Sequence, residues 1–437
     1  MRAWIKSDLS KSMSLWLVDS VIMAVAFAAA FMLRFDFQEP RWGWGRVWCS
    51  FIVVWVVQSL FFVLCDCVRR WRLHPRDIWR FVVSFAFAVI VMTVLRFIFR
   101  DESYLQIRPP FTINLLNGVL WASGALVARF LWTLFSNAKC REARLLRRSE
   151  RVVAGSLVRA FFANKCVLVT GAGGTIGSEI VRQVLEAGAA RVLMVERCEN
   201  ALYEMCEGVL DHSRAVPLMI DINEPEKIAA QLEKWKPEIV LHAAAYKHLP
   251  MCEQNPDEAW RNNARATEGL LEVVRAAGVR DFVLISTDKA VHPSSVMGQT
   301  KLAAENATLG AGYTVVRFGN VLGSSGSVVP KWERQIAAGG PVTITDSRMT
   351  RYFMTVQEAV GLVLEATTME RGHIYTLDMG KPISLVSLAE EMIRQAGYRP
   401  SRDIQLVFTG IRPGEKLHEE LGLEHAKPTD NAKIYQS

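Results

Sequence analysis

Charge is scarce in the first third of this 437-residue chain, and metal-binding cysteine spacing is missing throughout. The eight cysteines are scattered apart from Cys65 and Cys67, so neither a zinc site nor a disulfide framework is implied and no metal is expected. A small-residue cleavage site is also missing after the first apolar run, which meets Arg34 instead, so the run is not read as a cleavable signal. The apolar runs hold no Gly/Pro-broken pair of the kind that builds transport sites, which disfavours a transporter. The net charge of +7 comes mostly from basic residues flanking those runs, so it does not imply nucleic-acid binding.

Four apolar runs fill the space where charge is absent. Met13–Leu33 has Asp19 as its one ionisable residue, and Val47–Leu64 has none. Phe81–Phe99 carries Arg96 alone, and Phe111–Ala128 is uncharged. Each is about the length a helix needs to cross a bilayer. The pattern predicts a four-helix transmembrane region over 1–136, a basic connector over 137–164 and a nucleotide-binding domain over 165–437. Arg69–Arg80 and Lys139–Arg151 each carry a net charge of +4, whereas the other two connections are nearly neutral. Both termini are therefore expected on the cytoplasmic side of the inner membrane, in a multi-pass arrangement. Asp19, six residues into its run, is expected to snorkel or to bond between helices.

Beyond the connector, short apolar runs alternate with helical patterns. "CVLVT", "RVLMVE", "AVPLMID", "EIVLHAAA" and "FVLIST" read as successive strands of a Rossmann-like, doubly wound parallel sheet. Gly171, Gly174 and Gly177 directly follow the first strand and open a helix, where backbone N–H groups can cradle a pyrophosphate. Glu196, 25 residues past Gly171 at the end of the second strand, is placed for the adenosine ribose hydroxyls. Its charge favours NAD over NADP, and the neighbouring Arg197 weakens that preference. Asp221 is read either as an adenine contact or as a loop cap.

Six ordered stretches carry a resemblance: "TGAGGTIGSE", "HAAAYKHLPMCEQNP", "STDKAVHPSSVMGQTK", "RFGNVLGSSGSVVPKWERQI", "TRYFMTVQEAV" and "IRPGEKLHEEL". In that order they resemble the motifs of the polysaccharide-biosynthesis nucleotide-sugar 4,6-dehydratases, extended short-chain dehydrogenase/reductases acting on UDP-N-acetylglucosamine. The apolar runs resemble the membrane-bound branch, whose long members carry a middle domain where this chain has only its connector. The resemblance also leads to an expectation of further C-terminal helix beyond Ser437. It implies a homo-oligomer, and the anchor suggests a place beside downstream glycan-biosynthesis enzymes.

The implied chemistry is oxidation at C4, loss of water across C5 and C6, and hydride return to C6. By resemblance Asp288 is the acid to the C6 oxygen, Lys289 the base at C5, and Thr287 the partner of the C4 hydroxyl. Met297 stands where related enzymes place a catalytic Tyr; a thioether moves no proton, and membrane-bound members share it. Lys301, four residues on, is expected to hold the nicotinamide ribose. Thr175, Ile176, Ile222, Ala243 and Ala244 join the cofactor side. Lys247, Glu253, Arg317, Asn320, Arg351, Arg412 and Glu415 are expected on the UDP-sugar side, with Arg351 and Arg412 for phosphate. Desolvation would make Asp288 an acid and Lys289 a base, while their mutual attraction opposes both; the sequence leaves that balance open. Two rivals stand: a UDP-sugar 4-epimerase, against which Met297 and the Asp288–Lys289 pair count, and a non-catalytic membrane scaffold.

Overall fold

Four helices account for the apolar first third: α1 (Arg2–Arg34), α2 (Trp44–Leu64), α3 (Pro75–Ile98) and α4 (Phe111–Phe135). The computed structural model describes residues 2–34, 44–64, 75–98, 111–135, 155–208, 213–424 and 426–437. Most of the charged turns that orient the helices, and the connector's basic run, lie outside the described residues. The chain divides into two units, one of Met1–Ala138 with Arg394–Tyr398 and one of Lys139–Ile393 with Arg399–Ser437.

The helical unit turns the usual polarity inside out. Asp19, Ser50, Gln58, Ser84 and Asn117 are buried, whereas Val21, Val25, Ile52, Val56, Ile90 and Val127 are exposed. Asn117 Nδ2 donates to Gln58 Oε1 at 3.3 Å, and Trp121 Nε1 donates to the Asp19 carbonyl at 3.2 Å. Gly118 lets α4 lie against Phe85, whose ring occupies the place a Cβ would take. Among the described residues, one segment, Trp16–Arg34, is long and apolar enough to cross a bilayer. The described apolar stretches of the other helices are shorter: Trp48–Leu60, Val82–Val94 and Leu115–Ala128.

The α/β unit is built on a nine-stranded sheet. Its strands are β1 (Cys166–Thr170), β2 (Arg191–Glu196), β3 (Ala215–Met219), β4 (Ile239–His242), β5 (Asp281–Thr287), β6 (Thr314–Phe318), β7 (Ile374–Leu377), β8 (Lys427–Pro428) and β9 (Ile434–Gln436). The order is β8-β9-β7-β6-β5-β4-β1-β2-β3. Pairing is parallel from β3 to β7, and β9 and β8 close the far edge antiparallel. Both faces are covered, which explains why each central strand is apolar without a break. Val167 and Val169 pack into one core layer and Leu168 into the other; Ile239 and Leu241 repeat the split with Val240. The strand order reverses between β1 and β4, and a sheet of this order takes its ligand at the carboxyl ends of its strands.

His242 ends β4 inside this core. Its Nδ1 lies 2.6 Å from Thr170 Oγ1 and its Nε2 3.0 Å from Thr267 Oγ1. Burial, helped by the Lys301 charge, pushes its pKa from 6.5 to about 3. Between those values the unfolded chain takes up a proton that the folded chain refuses. Stability therefore falls as pH falls from 6.5 toward 3, by about 1.4 kcal/mol per pH unit from this group. Urea melts at a series of pH values should record that slope, and His242→Gln should flatten it. Equal slopes in the two proteins would remove His242 from the account.

Candidate active site

The glycine loop leaves β1 through Gly171 at φ +65 and opens α5 (Thr175–Glu186). A Cβ on Gly171 would stand 2.8 Å from the Ala244 backbone, and one on Gly177 only 2.0 Å from the Gly171 carbonyl oxygen. Such a closely wound loop at a helix N-terminus fits a dinucleotide pyrophosphate, so the residues present suit that cofactor. Glu196 lies beside the loop, accepting from Gly173 N at 3.2 Å and Cys198 N at 3.0 Å. Ala243 and Ala244 follow β4 and flank Gly171, while Thr175 Oγ1 accepts from Ser325 N at 3.2 Å. Ile176 packs against the core, and Ile222 is buried beneath the loop that follows β3.

Arg197 donates through Nη2 to Tyr246 Oη at 2.6 Å, lies over that ring, and stands 3.5 Å from Asp221. Asp221 also accepts from Asn223 N and Nδ2. Burial alone would raise its pKa, but those bonds and Arg197 outweigh it and the value is lowered. Asp221 is thus bonded within its own loop and has a charge partner that sequence reasoning did not anticipate.

The Thr287–Asp288–Lys289 triplet sits at the carboxyl end of β5. Thr287 Oγ1 donates to Asp288 Oδ1 at 2.9 Å, and Lys289 Nζ donates to the same oxygen at 2.8 Å. Asp288 Oδ2 is buried and has no bonding partner within the protein. One carboxylate oxygen is therefore held and the other is left without a protein partner. Lys289 Nζ also donates to Asn320 Oδ1 at 3.2 Å, placing this expected sugar-side residue within the triplet. Burial works against the Lys289 charge, yet the Asp288 and Glu419 carboxylates outweigh it, so its pKa is raised. The balance left open by the sequence thus falls toward a charged amine in the ligand-free protein.

The glycine of "RFGNV" explains how the chain comes so close. A Cβ on Gly319 would stand 3.0 Å from Asp288 Oδ2 and 3.1 Å from Tyr352 Cβ. Gly319→Ala should therefore displace the acid and lower turnover by about tenfold or more, with thermal melting little changed. Full activity in this variant would mean that Asp288 Oδ2 is not the working oxygen.

α6 (Val296–Gly310) carries Met297 and Lys301 on one buried face. Met297 packs with Cys252, Ala259 and Tyr246, and its own thioether has no proton to give. Lys301 Nζ donates to the Ile285 carbonyl at 2.7 Å; burial lowers its pKa to about 8 despite nearby Glu305. Glu253 Oε1 accepts from Val296 N at 2.7 Å, so it caps α6 at the positive end of the helix.

Two arginines expected on the sugar side are engaged within the protein. Arg317 Nε donates to Glu305 Oε1 at 2.8 Å and its Nη2 bonds Oε2, an ion pair buried between β6 and α6. Arg351 is also buried, donating to the carbonyls of Thr350, Leu417 and Lys416. It stands 3.6 Å from Glu415 and 3.8 Å from Glu419, stapling the "RPGEKLHEEL" segment beside the triplet. Arg412, the other arginine expected to meet phosphate, is exposed. Lys331 joins it: burial and the Arg412 charge lower its pKa, and Glu415 partly offsets them. Lys247 is exposed in the segment that follows β4. Sequence reasoning missed Glu305, which lies between two quoted motifs, and Lys331 and Glu419, which lie inside motifs without a spacing signal of their own.

A doubly wound dinucleotide-binding domain with a carboxylate–amine pair at the carboxyl end of β5 is the class defined by this geometry. A family model described as polysaccharide biosynthesis protein matches residues 167–437, and the chain belongs to that family. The capsular polysaccharide biosynthesis protein CapD of Staphylococcus aureus is 45% identical over 63% of this chain and 48% of its own length. The chain thus spans about half the length of that relative. An inverting UDP-N-acetylglucosamine 4,6-dehydratase of Campylobacter jejuni is 31% identical, over 59% of this chain and 77% of that protein. A UDP-glucose 4-epimerase of Rickettsia rickettsii is 30% identical, over 63% of this chain and 83% of that protein. Among solved structures, Pen from Bacillus thuringiensis is 33% identical with a TM-score of 0.59, covering 63% of this chain and 90% of its own.

Proposed function

We propose that the α/β unit is a UDP-N-acetylglucosamine 4,6-dehydratase serving surface-glycan synthesis. The observation that carries this reading is the Thr287–Asp288–Lys289 constellation, which has the acid, amine and relay that elimination needs. NAD on the glycine cradle would supply reversible hydride chemistry at C4 and C6, with Glu196 disfavouring the phosphate of NADP.

The proton balance closes on this chain's own residues. The active form is Asp288 ionised and Lys289 neutral. Thr287 passes the C4 hydroxyl proton to Asp288, which becomes a neutral acid beside a neutral amine. Lys289 then takes the proton from C5, acidified by the C4 ketone, while Asp288 protonates the departing C6 hydroxyl and water leaves. Lys289 finally returns its proton to C5 as C6 is reduced, and the pair is back at its starting charge. Because the ligand-free amine rests protonated, one proton must leave before turnover. Activity should rise with pH through the Lys289 titration, which a desolvating sugar brings down.

The Rickettsia relative keeps a 4-epimerase as the second reading. An epimerase needs only reversible C4 oxidation, and the acid oxygen at Asp288 Oδ2 would then have no task. Incubating the purified full-length protein with UDP-N-acetylglucosamine separates the two by proton NMR. A new C6 methyl signal supports the dehydratase; UDP-N-acetylgalactosamine would replace it with the epimerase. Neither product, with substrate still bound, would favour the scaffold.

We also propose that 1–136 is a multi-pass anchor in the inner membrane with both termini cytoplasmic. Buried Asp19, Gln58 and Asn117 beneath an apolar outer surface support it, because lipid rewards that polarity and water penalises it. The anchor would keep the product near membrane enzymes that consume it.

A further inference from the structure

Lys289 has two carboxylates, and only one belongs to its own motif. Glu419 Oε1 stands 3.7 Å from Lys289 Nζ. Its side chain is 2% exposed, and its Oε2 is buried without a bonding partner in the protein. It reaches this place because Arg351 holds the backbone of residues 416 and 417 and lies 3.8 Å from the same Oε1. A carboxylate taken out of water and left half satisfied is costly, and such a cost is sustained when the charge has a task.

We propose that Glu419 is the second counter-ion of Lys289, a positioning residue that keeps the amine in place when Asp288 turns to its ligand. The charged groups facing Lys289 are Asp288 beside it, Glu419 and Arg351 across from it, and Glu415 behind Arg351. Asp288 exchanges a proton within each turnover, so it is a counter-ion only part of the time. Glu419 lies too far from the amine for a direct hydrogen bond, at 3.7 Å, and stands outside that exchange. It thereby sets how readily Lys289 gives up its proton. That consequence for turnover rests on the dehydratase reading, whereas the pairing itself does not.

The test needs no turnover. Full-length protein is acetylated with trace acetic anhydride at a series of pH values. Labelling of Lys289 is then read by peptide mass spectrometry against exposed Lys234. In Glu419→Gln the labelling midpoint of Lys289 should fall by about one to three pH units, the effect of losing one close opposite charge. Glu419→Asp keeps the charge one methylene further back and should give a smaller shift in the same direction. It also serves as the reporter should the Gln variant melt below the assay temperature. If neither variant moves the midpoint, the counter-ion role is overturned. In the methyl-forming assay, Glu419→Gln should move the rising limb of the pH profile downward by a similar amount. A filler of space would lower the rate and leave the limb in place. A moved midpoint without methyl formation in any variant would keep the counter-ion and sink the dehydratase.

Discussion

Asp288→Asn should lower formation of the 4-keto-6-deoxy sugar by about 10²–10⁴-fold, the usual worth of a general acid. The amide keeps the shape of the carboxylate and can still accept from Thr287 and Lys289 through one oxygen. It cannot take the C4 proton from Thr287, nor give a proton to the C6 oxygen. The loss should therefore fall on kcat, with KM for the UDP-sugar nearly unchanged. Steady-state kinetics on full-length protein would check this. A kcat within tenfold of the parent would move the acid role away from Asp288, and the free Oδ2 would need another explanation.

Gly177→Ala should weaken dinucleotide binding by about 100-fold or more, through the backbone rather than through any lost contact. The added methyl would meet the Gly171 oxygen at 2.0 Å, the Gly171 carbonyl carbon at 2.7 Å and the Ala172 Cα at 3.0 Å. All three are main chain, and Gly171 cannot retreat because the Ala244 backbone already lies behind it. The loop must open, which withdraws its N–H groups from the pyrophosphate and adds an overpacking cost of about 1–3 kcal/mol. Calorimetric titration with NAD measures the affinity, and thermal melting measures the cost. Unchanged affinity would mean that the dinucleotide does not sit on this loop.

Local patterns made much of this legible. Continuous apolar strands, and glycines placed between a strand and a helix, state their roles within a dozen residues. The pairing of Asp288 with Lys289 follows from adjacency alone. Long-range choices were not legible. Arg317 had the type and motif of a ligand-binding residue, yet Glu305 on the neighbouring helix claims its guanidinium. Arg351 likewise answers to carbonyls from the C-terminal segment. Glu419 gave no signal because its meaning depends on a lysine brought near only by the fold. The sign of the Lys289 shift was out of reach for the same reason, since the burial and the Glu419 charge that act beside Asp288 both come from the fold. The final strands, β8 and β9, were unforeseen because such short polar segments form strands only against the β7 edge.

The most direct test of the central claim follows one atom. UDP-N-acetylglucosamine carrying deuterium at C4 is given to the full-length protein, and the product is examined by NMR and mass spectrometry. The dehydratase account predicts that the label leaves C4 and appears in the new C6 methyl group of the same sugar, with no net consumption of NAD. Label retained at C4 of an epimerised sugar would contradict it.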